Sequence, residues 1–430
     1  MSPATRILLA LCIGLSAGVA LASLGMTDEH LVAGVAETVG GLWLDALRMT
    51  ILPLVFSLVI TGVAATAGIA SAGGVTRISL SLFAIFLLAS AALAAVLVPL
   101  LLAVWPTPGP AAAALRQALG TAGELGEYPG ITEILRGIIP ANVVNAASSG
   151  AMLPLVFFAL LFGFAITKLE PEGRAGLSSF FAWIKETMLV IVGWVLKIAP
   201  VGVFALALVV GVRTGFTALG AFAHYIALVV FMCLVGVAAA YVVAVLIGRI
   251  PLARFARAAA PAQAIALSTQ SSLASLPAML KGSEAQLGIS SRVTGVTLPL
   301  AVSLFRVCGP LATVTIAIYA AHVMNAPLGP AQLVAGALVA VIMVATGGGI
   351  PSQVTYLATM TPILASMGVP IEILALLIAV ETIPDIFRTT ANVSMDMAIT
   401  TVVAKFAKQA PSGETPQGPP LTARTGESSG

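Results

Sequence analysis

Glu381-Thr-Ile-Pro-Asp385-Ile-Phe-Arg388-Thr389-Thr-Ala-Asn392-Val-Ser-Met-Asp396 carries the densest cluster of ionisable side chains inside any apolar segment of this chain. Asp385, Arg388, Thr389, Asn392 and Asp396 recur at spacings of three and four. On a helix they share one face, with Glu381 one turn earlier. Placing a single charged side chain at the centre of a bilayer costs about 2.5–3.5 kcal/mol on insertion scales. Such a stripe faces a polar cavity or another helix, not lipid. Arg388 offers a planar fork suited to a carboxylate, and Asp385, one turn away, suits an ammonium group. A buried cation and anion about 5 Å apart match an acidic α-amino acid. A plain i,i+3 salt bridge between the two is the competing reading. Glu381 and Asp396 remain as anionic oxygens for a cation or proton, with Asp396 the candidate metal-ion ligand.

Working outward, the flanking sequence places this stretch in a membrane. The chain has 430 residues, of which 59% are hydrophobic and 9% charged, whereas a soluble domain carries about 25% charged residues. Apolar runs approaching or exceeding the roughly 20 residues that span a bilayer are read at 7–24, 42–65, 78–104, 153–167, within 178–209 and within 219–248. The first is expected to be a retained helix and not a cleaved signal peptide. Segments 252–280 and 333–366 are apolar but interrupted by Ser, Gly and Pro, and each is long enough to enter and leave the membrane on one side. Segment 293–324 is broken at Cys308-Gly309-Pro310, and 370–405 at Pro384. Broken helices are tolerated at membrane depth where protein or a wet cavity satisfies the freed backbone, and in secondary transporters they carry the substrate and ion sites. The expected fold is an all-α polytopic membrane protein of about eight transmembrane helices plus two re-entrant helical hairpins. Lys and Arg distribution puts both termini in the cytoplasm, within a cell inner (plasma) membrane. The tail 409–430 is polar and expected to be disordered.

Several function classes fall away. The net charge is +3, and no basic run with interleaved aromatics suggests nucleic acid. Cys12, Cys233 and Cys308 form no disulfide or metal framework in their spacing. No Walker pattern implies ATP. Ser271 and Ser272 have no neighbouring base, so an enzyme is disfavoured and no cofactor is expected beyond a coupling sodium ion or proton. The hairpins carry short polar turns, Ser268-Thr-Gln270-Ser271-Ser272-Leu-Ala-Ser275-Leu-Pro277 and Thr346-Gly347-Gly348-Gly349-Ile350-Pro351-Ser352-Gln353, whose small residues let polar groups approach a ligand closely.

Together these motifs resemble the dicarboxylate/amino acid:cation symporter family, which includes the glutamate transporters. Asp385-x-x-Arg388-Thr389-x-x-Asn392-Val393-x-x-Asp396 is similar to its last-helix motif. The serine turn with Leu276-Pro277 resembles its first hairpin tip, and Gly349-Ile350-Pro351 its second. Stretches 49–64, 138–166 and 297–300 also match, so the resemblance covers roughly 5–408. It implies a homotrimer with an elevator mechanism. Residues 1–77 and 106–214 would be scaffold, and 78–105 and 215–408 a mobile transport domain. Arg388 would hold a side-chain carboxylate and Asp385 the amino group. Asn392, Thr389 and the hairpin tips (Ser271, Ser272, Gly349, Ile350, Pro351) would hold the α-carboxylate and backbone. The acid at 385 favours an amino acid over a plain dicarboxylate.

The departures bear on ions. Where the family has Asn-Met-Asp-Gly-Thr, this chain reads Phe305-Arg306-Val307-Cys308-Gly309. Where it has Tyr…Thr-Ser, the chain reads Phe86-Leu-Leu-Ala89-Ser90, and the first hairpin's third serine is Leu273. Sodium sites are thus degenerate, and Asp396, Glu381, Asn392, Arg306 and Ser90 are left as the cation or proton site. Arg306 is expected to pair with Asp396 or Glu381 and to act as a tethered cation. The expected function is a secondary active symporter for glutamate or aspartate with altered or reduced sodium coupling. The alternatives are a neutral amino acid, cystine or dicarboxylate carrier, or an ion channel or anion conductance.

Overall fold

The computed structural model describes residues 3–25, 31–70, 73–119, 136–304, 306, 308–347 and 352–409. Among these residues every regular element is helical. Apolar side chains leave a helix as the way to satisfy backbone groups without water. The elements are α1 Pro3–Ser23, α2 Leu31–Ala70, α3 Gly74–Val104, α4 Gly109–Ala118, α5 Val143–Ser148, α6 Met152–Ile166, α7 Pro171–Lys197, α8 Ala199–Thr214 and α9 Leu219–Val242. There follow α10 Leu252–Thr269, α11 Ser272–Lys281, α12 Ser291–Leu304, α13 Gly309–Met324, α14 Pro330–Thr346, α15 Ser352–Ser366, α16 Leu374–Val380 and α17 Thr382–Gln409. The expected polar tail lies outside the described residues from 410 onward.

The breaks follow the prolines, displaced by the geometry of the missing N–H. A proline inside a helix leaves the carbonyl four residues earlier without its donor. The segment expected as one span within 178–209 is two helices, α7 and α8, meeting at Ile198 just before Pro200. The last segment breaks at Glu381 and not at Pro384, because Pro384 sits in the first turn of α17 and the carbonyl it cannot serve belongs to Val380, the last residue of α16. Pro310 opens α13 in the same way. The carbonyl it would have served is that of Arg306, which accepts instead from Gly309 N at 2.6 Å.

Packing brings the C-terminal elements around α17. α9, α10 and α12 lie against it, while α10 packs on α11 and α14 on α15 as two hairpins. The first hairpin turns at Gln270, held in the left-handed region at φ 54. One buried core joins Phe83, Phe255, Met279, Leu298 and Val393 across these elements. A second joins α1, α2, α6–α9 and α13–α16. α1 packs along α8, and α2 packs on α6, α7 and α8. Every residue from Thr389 to Val403 is buried. From Thr389 onward α17 is thus enclosed, and hydroxyls there are satisfied locally: Thr400 and Thr401 donate to the carbonyls of Asp396 and Ala398.

Candidate functional site

Between the hairpins, the α12–α13 break and α17 lies a cavity of about 420 Å³. α17 contributes Asp385, Arg388, Thr389 and Asn392. The first hairpin contributes Gln270, Ser271, Ser272 and Leu273, and the break contributes Ser303, Arg306, Gly309 and Thr313. The second hairpin reaches it through Met343, Val344, Gly347, Tyr356 and Thr359. Gly349, Ile350 and Pro351, expected at that tip, lie outside the described residues.

The expected helical face is real, but its charges are already engaged. Arg388 Nη2 and Nε reach Asp385 Oδ1 at 3.0 and 3.2 Å, so the simple i,i+3 pair is present. Arg388 Nη2 also binds Glu381 Oε1. Glu381 Oε2 accepts the hydroxyl of Tyr225 from α9, and the Tyr356 hydroxyl lies beside that pair. Arg388 and Asp385 keep 13% and 14% of their side-chain surface, against 7% for Glu381. The first two therefore face the cavity, and Glu381 stands behind them. Its role here is to anchor Arg388 from the back.

Asn392 has a second task. Its Oδ1 accepts Cys308 N at 2.9 Å, which caps the break that starts α13. Thr389 Oγ1 donates to the Asp385 carbonyl at 2.8 Å. Ser271 caps α11, accepting Ala274 N at 3.2 Å. Asp396 is 1% exposed, and neither carboxylate oxygen has a hydrogen-bond partner among the described residues. The expected pairing of Arg306 is not formed. Among the described residues no carboxylate lies within ion-pairing distance of Arg306: Glu381 is taken by Tyr225 and Arg388, and Asp396 forms no ion pair. Arg306 instead lines the cavity, close enough to Asp385, Arg388 and Asp396 for their charges to act on it. Ser90 does not line the cavity; its hydroxyl donates to the Leu87 carbonyl at 2.8 Å. Sequence reasoning passed over Tyr225. The available signal was a tyrosine within an apolar run, since a buried phenol usually seeks a partner.

Residues 4–406, nearly the whole chain, match the sodium:dicarboxylate symporter family. The chain belongs to that family. Its similarity to individual relatives extends over most of the chain. The proton/glutamate-aspartate symporter of Escherichia coli K12 is 30% identical over 422 residues, 94% of this chain and 93% of the relative. The C4-dicarboxylate transport protein of Acinetobacter baylyi is 27% identical over 415 residues, 92% of this chain and 90% of its own. The human neutral amino acid transporter B(0) is 28% identical over 421 residues, 89% of this chain and 75% of its own. This sodium:dicarboxylate symporter family member is a multi-pass membrane protein, a cation-coupled symporter of the dicarboxylate and amino-acid class, and not an enzyme.

Proposed function

We propose that this symporter carries an acidic amino acid, glutamate or aspartate, with altered or reduced sodium coupling. The observation that carries the reading is Asp385 and Arg388 lining one cavity, a carboxylate for the ammonium group beside a guanidinium for the side-chain carboxylate. Asn392, Thr389, Ser271, Ser272 and the second hairpin tip would complete the contacts to the α-carboxylate. Substrate would cross as the segments 78–105 and 215–408 slide past 1–77 and 106–214, in a homotrimer with both termini cytoplasmic.

Altered coupling rests on two features. The unpartnered oxygens of Asp396 suit a cation or a proton, and the positive charge of Arg306 acts on that carboxylate without pairing with it. A fixed cation there lowers the number of sodium ions needed to neutralise Glu381, Asp385 and Asp396. A second reading, a neutral amino acid, is favoured by one observation: Arg388 is already bound by Glu381 and Asp385.

The deciding experiment is uptake into proteoliposomes over a panel of labelled amino acids and succinate, with sodium and pH gradients varied independently. Concentrative uptake of aspartate or glutamate with little or no sodium dependence supports the reading. Accumulation of neutral amino acids alone overturns the substrate. Steep multi-ion sodium dependence overturns the coupling. Equilibration without accumulation indicates a conductance.

A further inference from the structure

The two arginines of the cavity differ in what satisfies them. Arg388 is held by two resident carboxylates, Glu381 and Asp385. Arg306 lines the same cavity, and its guanidinium has neither an ion pair nor a side-chain hydrogen bond among the described residues. A guanidinium carries five N–H donors, and one withdrawn from water without a carboxylate is costly. Hydrogen bonds nevertheless hold the chain on the C-terminal side of Arg306. The Arg306 carbonyl accepts from Gly309 N, and Cys308 N is held by Asn392. A cation that lines a cavity, with no carboxylate in ion-pairing range among the described residues, is suited to receive an anion brought from outside.

We propose that Arg306 is a substrate-reading residue, receiving the α-carboxylate of an acidic amino acid through its fork while Arg388 takes the side-chain carboxylate and Asp385 the ammonium group. This rests on the acidic amino acid reading and deepens it. Among the described residues the charges lining the cavity are two guanidinium groups and one carboxylate, and the substrate presents the complement, two carboxylates and one ammonium. Asn392 and the first hairpin tip then supplement the contact to the α-carboxylate instead of carrying it alone.

The test measures binding to the purified full-length protein by calorimetry, in sodium and in choline buffer. The probes are L-aspartate, its α-amide (isoasparagine) and its side-chain amide (asparagine). Wild type is expected to prefer aspartate over the α-amide by about 30-fold or more, the range for one desolvated charge pair. Arg306→Gln brings that preference to within about threefold by the same removal of one pair, with the preference over asparagine kept, since Arg388 sets it. Arg306→Lys falls between, having charge without a fork. Unchanged discrimination against the α-amide in Arg306→Gln overturns the proposal. So does a change confined to sodium dependence, which would leave only the charge-replacement role. If Arg306→Gln binds nothing, Arg306→Lys decides, and wild-type discrimination there overturns the fork. A wild type that binds no acidic amino acid overturns the substrate reading itself, a result visible before any variant is made.

Discussion

Tyr225 on α9 donates its hydroxyl to Glu381 at the break before α17, and the other oxygen of that carboxylate holds Arg388. The guanidinium facing the cavity is thus steadied by a phenol on a different helix. Tyr225→Phe keeps the shape and removes the donor, leaving one buried carboxylate oxygen short of a partner, at a cost of about 1–3 kcal/mol. A lower unfolding midpoint in detergent and weaker aspartate binding are expected. Wild-type values in both measurements would detach Tyr225 from the site.

Arg388→Ala strips the counter-charge from two carboxylates at once. Binding of aspartate and glutamate should weaken by about 2–5 kcal/mol, part of it from Glu381 and Asp385 left unpaired. Neutral amino acids should lose less. Calorimetric titration of aspartate against serine reads the difference, and unchanged aspartate affinity would remove Arg388 from substrate recognition.

Asp385→Asn separates ammonium recognition from a purely structural role. Aspartate has an ammonium group and succinate does not, so the variant should weaken aspartate far more than succinate. Equal losses would mean that the Asp385–Arg388 pair only holds α17 together.

Gly62 on α2 meets Thr346 at the end of α14. A Cβ on Gly62 would lie 2.6 Å from the Thr346 Cβ and 2.8 Å from its Cα, far inside normal contact. Gly62→Ala must therefore push the two helices apart, at a cost of about 1–3 kcal/mol for overpacking. Under an elevator mechanism this contact joins fixed and moving parts. Uptake should fall while substrate affinity in detergent is nearly kept. Wild-type uptake rates would show that α2 and α14 separate freely here.

The membrane class, the two hairpins and the polar face of α17 were legible because each depends on local composition: run length, proline and glycine placement, and i,i+3/i+4 spacing. The break before α17 was read one turn late, since the eye falls on Pro384 and the effect falls on the carbonyl of Val380. The pairing of Arg306 was misjudged for a different reason. Spacing along the chain shows which charges exist but not which win a shared partner. Glu381 is contested, and Tyr225 and Arg388 take it. Tyr225 is 156 residues away in sequence, and no periodicity within either helix announces the contact.

The bond from Cys308 N to Asn392 Oδ1 makes one amide both a lining group of the cavity and the clasp of a broken helix two residues from Arg306. Specificity at these positions is therefore not modular. A substitution at Asn392 also shifts the backbone from which Arg306 extends, so the effects of changes at the two sites should be epistatic, with the double variant departing from the sum of the singles. A lineage changing its substrate at one of these positions would have to compensate at the other, and the pair is best engineered as one unit.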